Sequence, residues 1–153
     1  MLDAIKSRKL FNYGACTVMA AALSGATPAA AIEWRTDLTE AQIRATHWGA
    51  DARHVTPEMK RAVYARDGYT GSHDPRCPCE VDHIGPRCLG GADTMRNLQV
   101  QPYSGAWNAH MKDEVEWYAC QRFRHETLSL AAARAVFDGD WRVAYVHGWR
   151  LAE

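Results

Sequence analysis

The chain has 153 residues, of which 47% are hydrophobic, enough for one globular domain with a single core. It carries 18 Lys and Arg against 18 Asp and Glu, so its formal net charge is zero. Tight non-specific binding to nucleic acid depends on phosphate neutralisation by Lys and Arg, and the composition argues against a protein of that class. It does not argue against an enzyme that binds its substrate briefly.

The beginning of the chain has the pattern of an export signal. A basic region at residues 6–9 precedes the short apolar run 15–25, which is too short to cross a bilayer as a helix. The run ends in small residues, with Ala-Ala-Ala at 29–31 as a cleavage site. We therefore predict a cleavable signal peptide over residues 1–31 and a single domain over 32–153. The mature protein is expected to be periplasmic or secreted, without stable membrane association; a buried Ala-rich helix is the alternative.

Removal of residues 1–31 leaves four cysteines, Cys77, Cys79, Cys88 and Cys120. An even number of cysteines in an exported chain favours disulfides. A four-cysteine zinc site is the rival, but the spacing lacks the paired Cys-x-x-Cys motif of such sites. A bond between Cys77 and Cys79 has poor geometry. We therefore expect each of them to pair with Cys88 or Cys120, with Cys79–Cys120 favoured.

Helix-capping patterns predict two helices in the first half of the mature chain. Thr39 followed by Glu-Ala-Gln is a capping signature for a short helix. Thr56 is the N-cap of a second helix, with Pro57 at its first position and Gly68 after its end. Val63 and its apolar neighbours recur at helical spacing in this segment and are expected to face the core.

Two short strands joined by a glycine turn are predicted next. Residues 80–84 form the first strand, and the Gly-Gly pair at 90–91 turns the chain. Residues 97–101 form the partner strand, with Leu98 and Val100 on one face because side chains alternate along a strand. The segment therefore predicts an antiparallel hairpin.

Helical spacing predicts two further helices, over about residues 107–123 and 128–136. Trp141, Tyr145 and Trp149 follow as an aromatic stripe at i, i+4 and i+8, which is expected to pack in the core. Together these elements predict an α+β fold class, a mainly helical small domain with a short two-stranded antiparallel hairpin.

Residues 81–113 hold most of the chemistry-bearing side chains of the chain in a compact order. An acid and a histidine are adjacent, a glycine turn follows, an asparagine precedes an apolar residue, and a second polar group starts the next helix: Asp82-His83, Gly90-Gly91, Asn97-Leu98 and Asn108-x-His110-x-Lys112-Asp113. This order resembles the ββα-metal module of HNH endonucleases. The resemblance implies a metal-dependent endonuclease that hydrolyses phosphodiester bonds in nucleic acid, DNA above all, with little sequence specificity.

The resemblance also implies a general base and a metal site. His83 is suited to take a proton from water, since its imidazole is neutral near pH 7. Asp82 points to the opposite side of the strand and is expected to bind one divalent ion together with His110. The carboxylate favours Mg²⁺ or Mn²⁺, and the imidazole also admits Zn²⁺ or Ni²⁺. The amide of Asn97 is expected to bond backbone across the loop and so hold His83 in place.

The start of the helix predicted over about residues 107–123 supplies the remaining site residues. Asn108 lies about 200° around an ideal helix from His110, so it is either the runner-up metal ligand or an N-cap. Asp113 and Glu114 are expected to orient the His110 ring. Lys112 is expected to be solvated and to touch phosphate.

Two other classes of protein fit the same residues. One is a binding module that keeps the ββα scaffold without cleaving nucleic acid, although the intact Asp82-His83 pair argues against it. The other is an exported interaction protein stabilised by disulfides or zinc, in which the histidines have structural roles. For a nuclease, the chain shows no spare basic helix or zinc finger that would read base edges, which favours cleavage without sequence specificity.

Overall fold

A two-stranded antiparallel hairpin is packed between helices in the computed structural model, which describes residues 30–46, 53–76 and 78–148. Its strands are β1 (Cys79–His83) and β2 (Leu98–Pro102), and they pair over their full lengths. The predicted hairpin is confirmed, with each strand displaced by one residue from its expected position.

Five helices lie within the described residues. They are α1 (Glu40–Ala45), α2 (Pro57–Arg66), α3 (Ala109–Arg124), α4 (Leu130–Asp138) and α5 (Trp141–Val146). Helices and hairpin together confirm the α+β class. None of these helices is long and apolar enough to cross a membrane. The expected signal peptide, apart from its last two residues, falls outside the part of the chain that the structure describes.

Side-chain caps decide where the helices begin. The Thr39 hydroxyl accepts a hydrogen bond from the Gln42 N–H, and the Gln42 side chain accepts one from the Thr39 N–H, which completes a capping box. Thr56 accepts from the third residue of α2 in the same way. Both predicted helix starts are confirmed. α4 begins two residues later than predicted because Ser129 is its cap, and Asp140 caps the separate helix α5.

One apolar cluster joins α2 to the hairpin. Val63 and Tyr64 of α2 pack against Val81 of β1 and Leu98 of β2, and all four side chains are buried. Val100 packs against the same cluster, so the predicted shared face of Leu98 and Val100 is confirmed.

A second, larger cluster lies on the α3 side. Val115, Ala119 and Phe123 of α3 pack there with buried residues of α1, α4 and α5. Trp141 and Tyr145 pack against this cluster, as the aromatic stripe predicted, while Trp149 lies outside the described residues.

The loop between the strands is closed by glycines and by an N-terminal segment. Gly90 has φ +82°, a left-handed conformation that favours glycine, and a Cβ on Gly91 would overlap the carbonyl of Gly85. The segment before α1 runs beside this loop: the Arg35 N–H donates to the Gly90 carbonyl, and Trp34 forms a bridge with Gly91. The loop is thus held in shape by backbone pairing from the opposite side.

A disulfide joins this loop to α3. Cys88 pairs with Cys120, with their Cα atoms 5.9 Å apart. The expected pairing of Cys79 with Cys120 is therefore wrong, as is the expectation that each of Cys77 and Cys79 would take one of these two partners. Cys79 is also disulfide-bonded, and Cys77 lies outside the described residues.

The face on which each cysteine lies explains the error. Cys79 belongs to the cluster between the hairpin and α2, whereas Cys88 and Cys120 both belong to the cluster on the α3 side. A bond from Cys79 to Cys120 would have to cross the hairpin. Spacing along the sequence carries no information about this separation.

We expect the Cys88–Cys120 bond to stabilise the fold by about 3–4 kcal/mol, because it closes a loop whose ends are 32 residues apart. Peptide mapping without reduction should recover these two cysteines in one linked fragment. The double variant Cys88→Ala/Cys120→Ala should lose that stability in denaturant titrations. A linked Cys79–Cys120 fragment would contradict the structure.

Candidate active site

Strand alternation places the two adjacent residues Asp82 and His83 on opposite faces of β1. His83 shares the face of Val81 and is 4% exposed. Asp82 lies on the other face, where it meets α3. This opposite orientation is the one expected from the sequence.

His83 is paired with a carboxylate from the loop. Its Nε2 lies 2.7 Å from Oδ1 of Asp93. The second oxygen of Asp93 accepts a hydrogen bond from the His54 N–H at 2.7 Å, and the Arg87 guanidinium lies 3.5 Å from the carboxylate. The carboxylate is thus fixed by two other groups, and it fixes the imidazole ring in turn.

Near neutral pH, one member of this pair is neutral and the other is ionised. Burial lowers the pKa of His83, and the hydrogen bond with Asp93 offsets only part of this shift. Burial alone would raise the pKa of Asp93, but its hydrogen bonds and the charge of Arg87 outweigh this and lower it. A neutral imidazole that donates from Nε2 to an ionised carboxylate leaves Nδ1 as a proton acceptor. This arrangement suits a general base.

Asp93 was not predicted from the sequence. Its only signal there is a carboxylate two residues after the Gly-Gly turn, a position that has many ordinary explanations. In the structure the loop folds back over β1 and brings Asp93 into contact with His83.

Two guanidinium groups flank the pair. Arg53 is exposed and donates from Nη2 to the Val81 carbonyl at 3.2 Å, and its charge contributes to the lowered pKa of His83. Arg87 lies on the Asp93 side. Two guanidiniums around a neutral histidine form an environment that favours an anion such as phosphate.

Asn97 is fully buried and cross-links the loop. Its Oδ1 accepts from the Gly85 N–H at 2.8 Å, and its Nδ2 donates to the carbonyls of Gly85 and Ala92 at 3.0 Å each. This is the backbone bonding across the loop that was expected of it. Gly85 lies two residues after His83, so the amide fixes the chain next to the base.

The prediction of a solvated Lys112 is wrong. Its side chain is fully buried, not solvated. Its ammonium donates to Oδ2 of Asp82 at 2.7 Å, to the His83 carbonyl at 2.7 Å, and to Glu116 one turn along α3. We call Asp82, Lys112 and Glu116 the lysine cluster. Burial alone would lower the pKa of Lys112, but the adjacent carboxylates of Glu116 and Asp82 reverse this and raise it.

Lys112 and Glu116 gave a weak signal in the sequence. They stand at i and i+4, a spacing common to exposed ion pairs on helices. Only the position of Asp82, thirty residues earlier, shows that this pair faces inward.

The remaining predicted site residues lie at the outer edge. His110 is exposed, and its ring stacks on that of Tyr103 with centroids 5.6 Å apart. Asn108 is the N-cap of α3, accepting from the Met111 N–H at 3.1 Å, so its expected alternative role is the one observed. Asp113 and Glu114 are exposed, and within the described residues neither carboxylate bonds the His110 ring. Burial and the charge of Asp82 raise the pKa of Asp113.

The residues present do not fit the expected metal site. The Asp82 carboxylate, its principal ligand, is already neutralised by the ammonium of Lys112. No group of three or more His, Cys, Asp and Glu side chains among the described residues could hold a metal ion. A lysine ammonium is a cation without vacant coordination positions, so it cannot polarise a phosphate as a Lewis acid does.

No family model matches the chain, and no curated protein or solved structure is significantly similar to it. The likeness to HNH endonucleases therefore rests on the motif residues themselves.

We expect Asn97→Asp to lower the free energy of unfolding by at least about 2 kcal/mol, because a carboxylate cannot donate to the two buried carbonyls that the amide serves. Thermal or denaturant unfolding measures the loss. Gln121→Glu, the same change of group at a half-buried position of α3, is the control and should be nearly neutral. Equal effects of the two substitutions would show that the cross-link of the loop is unimportant.

Proposed function

We propose that this protein is an endonuclease of the HNH type that cleaves phosphodiester bonds in nucleic acid, with His83 as the general base. The hydrogen bond between His83 and Asp93 carries this proposal. It orients a buried, neutral imidazole at the end of the strand where the motif residues converge. A buried histidine with a lowered pKa and a specific charged partner is a candidate for a functional residue.

The pair supplies the first requirement of phosphodiester cleavage. Nδ1 of His83 removes the proton from the attacking oxygen, and Asp93 stabilises the imidazolium that results. The role of Asp93 is to position the ring and to hold its tautomer. Asn97 supports the same geometry from the backbone side.

Arg53 and Arg87 supply the second requirement. A phosphodiester anion placed beside His83 gains charge on its non-bridging oxygens during the reaction, and guanidinium groups donate two parallel hydrogen bonds to such oxygens. Arg53 is exposed on this side of the hairpin and can meet a polymer from solvent.

A cleft on the α3 face of the hairpin, opposite to His83, suits a nucleobase. It has a volume of about 420 Å³, and its walls include Gln99, Trp107, Trp141 and Arg142. We call it the tryptophan groove. Indole faces stack on unpaired bases of any sequence, and glutamine amides bond their edges. The groove therefore favours single-stranded nucleic acid over a duplex, whose bases are already stacked.

A second candidate is a catalytically silent module that binds nucleic acid through the same groove. The lysine cluster favours it, because Lys112 occupies the carboxylate that a metal-dependent nuclease would use. Cleavage assays separate the two functions.

The purified mature protein should cleave single-stranded oligonucleotides, and His83→Ala should reduce the rate by about 10²–10⁴-fold, the usual loss on removal of a positioned general base. Gel assays with labelled RNA and DNA, each with Mg²⁺, Mn²⁺ or EDTA, measure it. His73→Ala, which changes an exposed histidine outside the motif residues, is the control. Binding without cleavage of either polymer would support the silent module.

The pH dependence of cleavage should identify the base. Since burial lowers the pKa of His83 from its ordinary value of 6.5, kcat/KM should rise with pH through a midpoint below pH 6.5, as the imidazole loses its proton. Asp93→Asn removes a charge that raises this pKa, so the acid limb should move to lower pH. The rate itself should fall by up to about 10⁴-fold, because the ring loses its fixed tautomer. An unshifted limb would exclude His83 as the titrating group.

A further inference from the structure

The lysine cluster determines what kind of attack the site can support. Lys112 lies at the carboxylate that the motif reserves for a divalent ion, and its side chain is fully buried. It cannot move out to a phosphate without leaving Asp82 and Glu116 without their cation. The charge that stabilises a reacting phosphate must therefore come from Arg53 and Arg87 on the other face of β1.

This arrangement is weak for cleavage of DNA. In DNA the nucleophile is a water molecule, which must be bound and activated, and the departing alkoxide must be stabilised. In metal-dependent nucleases a metal ion does both. RNA carries its own nucleophile, the 2′-hydroxyl, next to the phosphorus atom. An intramolecular nucleophile has an effective concentration on the order of 10⁵–10⁸ M, so a base and two guanidiniums suffice.

We propose that the substrate is single-stranded RNA, cleaved without a divalent ion by attack of its own 2′-hydroxyl. The inference rests on the proposed function, since it uses His83 as the base. His83 takes the 2′-hydroxyl proton, the 2′-oxygen forms a bond to phosphorus, and the bond from phosphorus to the 5′-oxygen breaks. The imidazolium of His83 then gives this proton to the departing 5′-oxygen. The products are a 2′,3′-cyclic phosphate and a 5′-hydroxyl, and no co-reactant is consumed.

The tryptophan groove is consistent with this substrate. It lies on the α3 face of the hairpin, opposite to His83, so a base stacked on Trp107 or Trp141 belongs to a nucleotide away from the cleaved bond. Trp107 keeps 39% of its surface exposed beside the Arg142 guanidinium, which lies 5.9 Å from its ring centroid, so part of the indole remains accessible. Single-stranded RNA presents unpaired bases to such a face.

The decisive experiment compares three oligonucleotides of one sequence in the presence of EDTA: RNA, DNA, and RNA with a single 2′-deoxynucleotide at the cleaved position. Mass spectrometry of the products identifies their ends. We expect RNA to be cut to 2′,3′-cyclic phosphate and 5′-hydroxyl ends at the same rate with or without EDTA. The single deoxy substitution should reduce cleavage at that bond on the order of 10⁵-fold.

Each other outcome overturns a distinct statement. Cleavage of DNA that requires Mg²⁺ or Mn²⁺, or RNA products with 5′-phosphate ends, would overturn this inference and leave the proposed nuclease function standing. Failure of the wild-type protein to cut any of the three, with or without metal, would overturn both.

Metal binding gives a readout that does not depend on activity. Mn²⁺ titrations of the wild-type protein and of Asp82→Asn are followed by electron paramagnetic resonance. We expect the two titrations to be the same, because Asp82 binds no ion in the wild-type protein. One Mn²⁺ per chain that this substitution abolishes would overturn the inference. Lys112→Met should instead create Mn²⁺ binding, because it frees Asp82 and Glu116; where that variant does not fold, the wild-type titration decides alone.

Discussion

The buried ammonium of Lys112 holds the hairpin and helix α3 together. Taking such a charge out of water costs several kcal/mol, which only well-placed acceptors offset. Lys112 has three: Asp82, Glu116 and the carbonyl of His83. Removal of either carboxylate would leave a buried charge without its partner, and the fold would lose about 3–5 kcal/mol of stability. Because one acceptor is the backbone of the base itself, the same ion pair that joins two elements also fixes where His83 stands.

The parts of the fold that could be predicted from the sequence are those determined by neighbouring residues. Thr39 and Thr56 accept hydrogen bonds from N–H groups three residues later, so the helix starts can be predicted from a few consecutive residues. Leu98 and Val100 alternate with polar residues, which determined their shared face. The roles of Asn97 as a link across the loop and of Asn108 as a cap also follow from local spacing.

The parts that could not be predicted depend on residues far apart in the chain. The sequence around Lys112 is typical of a surface lysine, and only its tertiary contact with Asp82 shows that it faces inward. Nothing in the sequence distinguishes Asp93 from other loop carboxylates, because its contact with His83 forms only when the loop folds over β1. The pairing of Cys88 with Cys120 depends on which side of the hairpin each residue occupies, which spacing does not encode. Local spacing therefore predicts the roles of Asn97 and Asn108, whereas the cation beside Asp82 depends on the tertiary fold.

The contacts that close the loop between the strands have a consequence for folding. Arg35 donates to the Gly90 carbonyl, and the Trp34 indole donates to Asp138, 104 residues further along the chain. Contacts of such long range form late, since the entropy of closing the intervening chain must be lost first. The bond between this segment and Asp138 therefore cannot form before α4 has been synthesised. During translation, the segment that supports the loop around Asp93 lacks one of the contacts that hold it in the folded protein.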